Sequence, residues 1–276
     1  MKPVAFSHTL PGSVAEATRL ATGGADVKIV GGGQSLGPML NLRLARPEAL
    51  VDVAALDHLR RIEDTGGYVE IGSAIRHAEI EDGAVPDPIP GMLPYVAGGI
   101  AYRAVRNRGT IGGSLCHADP AADWASAITA LDATLVIAGP DGTTREVPMT
   151  GFMEGAYRTV LAPGEVLCTI RIPKCGAGAR WGYYKICRKV GAFADAIAAA
   201  VIDPERRYCR VVFGAASGVP LLARDLARSL AETGRAAPHG EVEAALLALD
   251  PALDRIKRHQ LAIAYARCIA EALPHD

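Results

Sequence analysis

Two glycine-rich stretches hold the residue types and spacing best suited to chemistry. One is Lys28-Ile29-Val30-Gly31-Gly32-Gly33-Gln34-Ser35-Leu36-Gly37; the other is Thr110-Ile111-Gly112-Gly113-Ser114. Glycines expose backbone N–H groups with no side chain in the way, and a concavity of such groups suits a phosphate or pyrophosphate. The second stretch adds two hydroxyls able to donate to phosphate oxygens. Either stretch alone also reads as a tight turn. Both in one chain, each beside hydroxyl and apolar residues, shift the balance toward phosphate. No Ser-His-Asp order, H-E-x-x-H or paired catalytic carboxylates stand out, an absence compatible with a protein that binds, orients and tunes a cofactor.

The first stretch also matches part of a dinucleotide-binding βαβ unit. A strand over residues 27–30 runs into the glycines, a helix would follow, and Asp52 lies about 20 residues on, where a ribose-binding carboxylate belongs. Two features oppose that reading. The glycines run G-x-G-x-x-x-G, and Pro38 falls inside the would-be helix, where it is tolerated only near the first turn. No G-x-x-x-x-G-K-[ST] occurs, which excludes a P-loop.

The elements that would position these stretches follow from patterning. Ser13-Val14-Ala15-Glu16 is a capping box opening a helix to about Ala21, ended by Gly23-Gly24. Strands are expected at Val27 to Val30, Leu50 to Val53 and Tyr68 to Ile71. A proline-rich loop over 83–94 leads to a helix at Met92 to Gly98, then a polar loop from Arg103 to Ser114. Asp123 to Leu131 reads as helix. Leu135 to Ala138 and Thr143 to Val147 form a hairpin around Asp141-Gly142, and Val166 to Ile172 is a further strand. Beyond a glycine-rich boundary at Pro173 to Arg180 come a strand at Tyr183 to Cys187 and a hairpin of Ala196 to Ile202 with Tyr208 to Ala215. Three helices follow, near Leu222 to Thr233, Glu241 to Leu249 and Ile256 to Leu273. The last has Ile256, Leu261, Ala264, Cys268 and Leu273 near one face. The fold class is α+β: a domain over 1–173 and a C-terminal α+β domain over 177–276 with an antiparallel sheet and helices.

The 276 residues carry a net charge of −1, which lacks the basic footprint of a nucleic-acid binder. Local clusters (Arg103, Arg106 and Arg108; Lys185, Arg188 and Lys189) suit a solvated face or a partner contact equally. There is no secretory leader pattern and no apolar run of the roughly 18 residues a membrane span needs, so a cytoplasmic location is expected. Cys116, Cys168, Cys175, Cys187, Cys209 and Cys268 form no C-x-x-C and no zinc or iron–sulfur spacing, and read as free, mostly buried thiols. Any iron–sulfur cluster must sit on another chain.

The sequence resembles the medium, FAD-binding subunit of the molybdenum hydroxylases, the carbon monoxide dehydrogenase and xanthine dehydrogenase family. The matching stretches are Gly31-Gly32-Gly33-Gln34-Ser35-Leu36 with Leu42-Arg43-Leu44-Ala45-Arg46-Pro47, and Arg106-Asn107-Arg108-Gly109-Thr110-Ile111-Gly112-Gly113-Ser114 with His117-Ala118-Asp119-Pro120-Ala121-Ala122-Asp123. The likeness extends through Arg158 to Pro173 and weakly beyond. It implies a two-lobed FAD-binding domain of the vanillyl-alcohol-oxidase-like type, with lobes at approximately 1–55 and 56–173. It also implies non-covalent FAD here, with the molybdenum cofactor and 2Fe-2S clusters only on partner chains: an iron–sulfur subunit and a molybdenum-cofactor subunit of a hetero-oligomer. Clusters would pass single electrons to the FAD, which hands them to an external acceptor. A stand-alone FAD-dependent oxidase or dehydrogenase of the same fold is the alternative, and a nucleotide-sensing protein without turnover a third.

The resemblance also assigns roles. Lys28, Ile29, Val30, Gly31, Gly32, Gly33, Gln34, Ser35 and Leu36 would wrap the pyrophosphate and reach toward the flavin. Ile100 and Ala101 would line the adenosine or flavin path. Thr110, Gly113, Ser114 and His117 would supply the second pyrophosphate loop. Asp123 would accept from a ribitol or ribose hydroxyl, Val166 and Leu167 would flank the adenine, and Lys185 would lie near the isoalloxazine. Arg188-Lys189-Val190-Gly191-Ala192-Phe193-Ala194 departs from the family's Arg-Arg then Gly-Asp-Phe-Ala by losing the acid. From the residues alone, Asp123 is equally a helix N-cap, His117 equally a surface histidine, and Arg43 and Arg46 are expected to pair with carboxylates. Tyr183 and Tyr184 alternate on a strand, so one faces the core and the outward one could cover a flavin, although plain core packing suits either better. Arg103, Arg106 and Arg108 are candidates for a docking face.

Overall fold

A computed structural model of the chain describes residues 2–23 and 26–273; Gly24, part of the expected helix stop, lies outside them. Helix and sheet are mixed, and three principal sheets form the frame. The first holds β1 (Ser7–Thr9), β2 (Val27–Val30) and β3 (Ala49–Asp52) in the order β1-β3-β2, both pairings parallel. Helix α1 (Val14–Thr22) links β1 to β2, and the Glu16 N–H donates to the Ser13 hydroxyl at 3.1 Å as its sequence predicts. Helix α2 (Leu36–Asn41) follows β2, with Pro38 in its first turn. The parallel β2–α2–β3 unit is real, yet its sheet stops at three strands. Asp52 is committed to its own neighbourhood: it accepts from the Ala54 N–H at 3.0 Å and faces His8 at 3.3 Å.

The second sheet is antiparallel throughout. Its strands β4 (Ile62–Asp64), β5 (Tyr68–Gly72), β6 (Thr134–Ala138), β7 (Thr144–Pro148) and, after the short β8 (Met153–Gly155) and β9 (Arg158–Thr159), β10 (Val166–Pro173) lie in the order β4-β5-β10-β6-β7. In β5 the alternation places Val69 and Ile71 fully inside. Between β5 and β6 run α3 (His77–Glu81), α4 (Met92–Gly98), α5 (Arg103–Arg106), α6 (Ile111–His117) and α7 (Asp123–Ala130). The expected loop over Arg103 to Ser114 is therefore largely helical. Thr110 caps α6 by accepting from the Gly113 N–H at 3.1 Å. A Cβ on Gly112 would overlap Ser73, so glycine lets α6 seat against the end of β5. Tertiary packing thus overrides the low helix propensity of two adjacent glycines.

The third sheet, β11 (Arg180–Ile186), β12 (Ala196–Asp203), β13 (Tyr208–Gly214) and β14 (Leu221–Leu222), is antiparallel in chain order. After it come α8 (Arg224–Thr233), α9 (His239–Leu249) and α10 (Arg255–Ala272). Strand β12, Ala-Ile-Ala-Ala-Ala-Val-Ile-Asp, is buried along its whole length because both faces are covered. Ile197, Ala199 and Val201 join the core shared with α7, while Ala198, Ala200 and Ile202 join Leu261, Tyr265 and Cys268 of α10. Small side chains let helices approach both faces. Leu261, Ala264 and Cys268 are buried as expected, whereas Ile256, in the first turn of α10, is 71% exposed; it begins before the helix reaches the sheet-facing stripe.

Candidate functional site

A cavity of about 900 Å³ opens between the first two sheets, with one wall completed by residues 191–193. That volume sits at the upper end of the roughly 300–1,000 Å³ typical of small-molecule sites. Every residue assigned a binding role from sequence lines it, Lys185 excepted: 28–36, Ile100, Ala101, Thr110, Gly113, Ser114, His117, Asp123, Val166 and Leu167.

The two glycine stretches form one lip of this cavity and interlock. A Cβ on Gly31 would stand 2.8 Å from the Thr110 hydroxyl, and one on Gly32 would overlap the Arg108 carbonyl. Gly33 has φ +70°, a left-handed turn that glycine accepts without strain. Among the described residues, no acceptor within the chain takes the amides of Gly31 to Ser35. These residues line the cavity, and a run of successive N–H groups without acceptors suits an anion-binding nest. In the second stretch the amides are spent. Ile111 N–H donates to the Ile75 carbonyl at 3.0 Å, Gly112 to Ser73 at 2.9 Å, Gly113 to the Thr110 hydroxyl, and Ser114 to the Thr110 carbonyl at 3.0 Å. What this stretch offers a ligand is hydroxyls, not amides.

Behind the lip sits a buried polar cluster. Asp123, the first residue of α7, receives the Tyr183 hydroxyl at 2.8 Å and the Lys185 ammonium at 2.8 Å on the same oxygen. The Lys185 ammonium also donates to the Gly99 carbonyl at 2.9 Å, next to Ile100 and Ala101 on the wall. Lys185 is therefore one contact behind the cavity surface. Burial pushes the Asp123 carboxyl above its usual range, and the Lys185 charge and Tyr183 hydrogen bond oppose that push. The N-cap position itself falls to Ala122, so Asp123 serves the cluster instead.

Several wall residues escaped the sequence reading. His77 is buried, accepts the Trp124 indole N–H on Nδ1 at 3.1 Å, and burial with the Arg106 charge holds its imidazole down to about 4. His117 packs on Tyr157 at 5.2 Å between ring centroids. Gly191, Ala192 and Phe193 also face the cavity, Phe193 at 69% exposure. Gly191 has φ +82° and a Cβ there would overlap the Ala101 carbonyl, so this turn closes on the Ile100-Ala101 wall. The glycine in Arg188-Lys189-Val190-Gly191-Ala192-Phe193 was the available signal. Neither Tyr183 nor Tyr184 reaches the cavity: Tyr183 is core, and Tyr184 packs on the opposite face with α10.

Two basic expectations need correction. Arg103 is paired with Glu81 and Asp82 at 2.8 and 2.5 Å, and Arg106 with Glu81 at 2.7 Å plus the Ile100 and Ala101 carbonyls. They brace α5 against α3, which leaves only Arg108 of that trio without an ion-pair partner among the described residues. Arg43 and Arg46 pair with no carboxylate there; they donate to the Lys2 and Arg43 carbonyls at 3.2 and 3.1 Å. Arg43 adopts φ +58°, which turns its side chain away from a helical register.

Residues 4–175 match the family model described as the FAD binding domain in molybdopterin dehydrogenase. The chain is 40% identical over 207 residues to the carbon monoxide dehydrogenase medium chain of Hydrogenophaga pseudoflava, covering 73% of this chain and 70% of that one. It is 33% identical over 225 residues to the caffeine dehydrogenase subunit beta of a Pseudomonas strain, covering 80% and 76%. The solved carbon monoxide dehydrogenase of H. pseudoflava lacking the Mo-pyranopterin moiety superposes at TM-score 0.89 and 34% identity, over 99% of this chain and 98% of that one. An open-amide lip, a ligand-sized cavity and these matches agree, and the chain belongs to the FAD-binding medium-subunit family of the molybdenum hydroxylases, as an FAD-dependent oxidoreductase subunit.

Proposed function

We propose that this chain holds one FAD non-covalently in the cavity and passes electrons from a partner's iron–sulfur clusters, through that FAD, to an external acceptor. The observation that carries the reading is the run of open amides from Gly31 to Ser35 on the lip of a cavity of this size. Five donors with no acceptor of their own suit the two charged groups of a pyrophosphate. Bound FAD would supply all the redox chemistry. The chain's own part is to bind and orient. Thr110 and Ser114 would donate hydroxyl hydrogen bonds to phosphate oxygens, Ile100, Ala101, Val166 and Leu167 would hold flat apolar rings, and Asp123 would accept from a sugar or ribitol hydroxyl. Lys185 would hold Asp123 in place and set the charge behind the ring system.

The organic substrate would be oxidised on a molybdenum-cofactor subunit, with the assembly in the cytoplasm. The relatives named as a medium chain and a subunit beta support a hetero-oligomer, and no described helix is long and apolar enough to cross a membrane. The first two sheets fit a two-lobed arrangement of the vanillyl-alcohol-oxidase-like type over 1–173, with lobes near 1–55 and 56–173. The third sheet and α8 to α10 fit a C-terminal domain over 177–276.

Acid precipitation of the purified chain should release FAD at one per chain, and FMN or flavin retained in the precipitate would contradict the binding mode. The FAD-loaded chain alone should not be reduced by aldehydes, purines or N-heterocycles, and turnover should appear when partner subunits are added. Flavin reduction by the isolated chain at rates approaching the typical median of about 10 s⁻¹ would promote the stand-alone enzyme.

A further inference from the structure

Away from the cavity, three potential ligands meet on the C-terminal helices. His239 and Glu243 stand one turn apart on α9, and His259 comes from α10. His239 Nε2 lies 3.0 Å from His259 Nδ1 and 3.3 Å from Glu243 Oε1, and His259 Nδ1 lies 3.7 Å from the same oxygen. A tetrahedral ion with bonds of about 2.0–2.1 Å spaces its ligands roughly 3.3–3.4 Å apart. The three edges bracket that spacing.

A proton explains this triangle less well than a cation does. One N–H between the two imidazoles satisfies the short edge only, because it cannot also point at Glu243. A cation at the centre uses all three lone pairs together. Coordination requires each ring to carry its proton on the far nitrogen, the tautomer of a neutral imidazole. The carboxylate supplies the single negative charge. Two imidazoles and one carboxylate suit a borderline transition ion, whereas Mg²⁺ and Ca²⁺ prefer sets of oxygens.

We propose that His239, Glu243 and His259 bind one divalent transition ion of the Zn²⁺ class, tying α9 to α10. The three side chains are exposed or half-buried, so solvent reaches the fourth coordination position. None of them lines the cavity. The site therefore acts as a clamp on the C-terminal helices, independent of the FAD site.

The test uses the untagged, FAD-loaded full chain after chelator treatment. Co²⁺ titration should give the intense visible absorption of four-coordinate cobalt, saturating at one ion per chain, and Zn²⁺ should displace it. Zn²⁺ should also raise the melting temperature, since an ion that binds only the folded state stabilises it. His259→Asn and Glu243→Gln should each weaken Zn²⁺ binding at least tenfold, the lower end of what losing even an outer partner of a metal costs, roughly 10–100-fold. They should also abolish the Zn²⁺-dependent melting shift while retaining FAD. The retained FAD shows that the variants fold, and the variants separate this site from Cys116, His77 and His117 in the cavity. Weak octahedral cobalt absorption, or unchanged affinity in either variant, would overturn the proposal.

Discussion

The two glycine stretches look alike in sequence and differ in what they leave free. Residues 31–35 make no internal use of their amides, whereas residues 111–114 use all of theirs. The cause is local. The first stretch leaves the end of a short parallel sheet with no neighbour to pair with, and Gly33 turns it toward the cavity. The second is pinned on both sides, by Ser73 and Ile75 behind and by the Thr110 cap in front. One stretch leaves its backbone amides free on the cavity wall, the binding surface of the proposed reading. The other is a scaffold that holds the first in place, since Gly32 rests on the Arg108 carbonyl. In both stretches glycine lets the chain approach itself closely, Gly32 at the Arg108 carbonyl and Gly112 at Ser73.

The scaffold should be the more sensitive to acid. His77 donates its backbone N–H to the Gly109 carbonyl at 2.9 Å, so it anchors the stretch from behind. Burial, with the Arg106 charge, lowers its imidazole from 6.5 to about 4. Between those values the unfolded chain takes up a proton that the folded chain refuses. Stability is thus fully present above pH 6.5 and falls as the pH drops toward 4, by about 3 kcal/mol at the foot of the window. Urea melts at pH 7 and pH 4 should show that difference relative to His77→Gln, whose amide oxygen can still accept from Trp124. Asp87, raised to about 6 by burial, titrates in the same range in both proteins and cancels. Equal pH slopes would remove His77 from the scaffold.

A second break separates the loops physically. Gly32→Ala puts a methyl into the Arg108 carbonyl, so the first stretch must lift off the second. FAD affinity should fall about a hundredfold, near 2.8 kcal/mol, measured by flavin fluorescence quenching. Gly37→Ala meets open space and serves as the control. If Gly32→Ala binds FAD normally, the interlock is incidental and only the open amides matter.

Much of this architecture was legible in the sequence because local signals and tertiary demands agreed. Strand β2 has the bounds its apolar run implies, helix α4 spans Met92–Gly98 as read, and the Asp141-Gly142 turn joins β6 to β7. The glycine lip of the cavity was legible too, since both stretches carry it in consecutive residues, whereas Ile100, Ala101, His117, Asp123, Val166 and Leu167 came from the family resemblance. What stayed hidden came from long-range contacts. The helix at 111–117 forms because Ser73 and Ile75 take its first amides, a fact no window of neighbours contains. Arg103 and Arg106 looked like a free basic face until Glu81 at the end of α3 and Asp82 just after it arrived. Phe193 reaches the cavity from a segment whose own pattern says only loop, and His77 is revealed by Trp124, 47 residues away.

The smallest expected effect tests the difference between the stretches most directly. If residues 110–114 can offer a ligand only hydroxyls, their two hydroxyls should behave differently. The Ser114 hydroxyl makes no hydrogen bond within the chain among the described residues, so Ser114→Ala, which keeps the backbone bond to Thr110, should leave folding unchanged. It should weaken FAD binding by about 1 kcal/mol, roughly fivefold, the net worth of one ordinary hydrogen bond. Thr110 both caps α6 and faces the cavity. Thr110→Val should therefore lower stability by about 1 kcal/mol through loss of the cap and weaken FAD binding at the same time. Thr110→Ser keeps the oxygen and should restore both. In Thr110→Val the Gly113 N–H loses its acceptor and becomes available to the ligand, so the affinity loss should be smaller than that of Ser114→Ala. Equal losses in both variants would mean that the freed amide cannot reach the phosphates. A gain in affinity for Thr110→Val would mean the reverse: the second stretch was built with a latent amide donor that its own threonine keeps occupied.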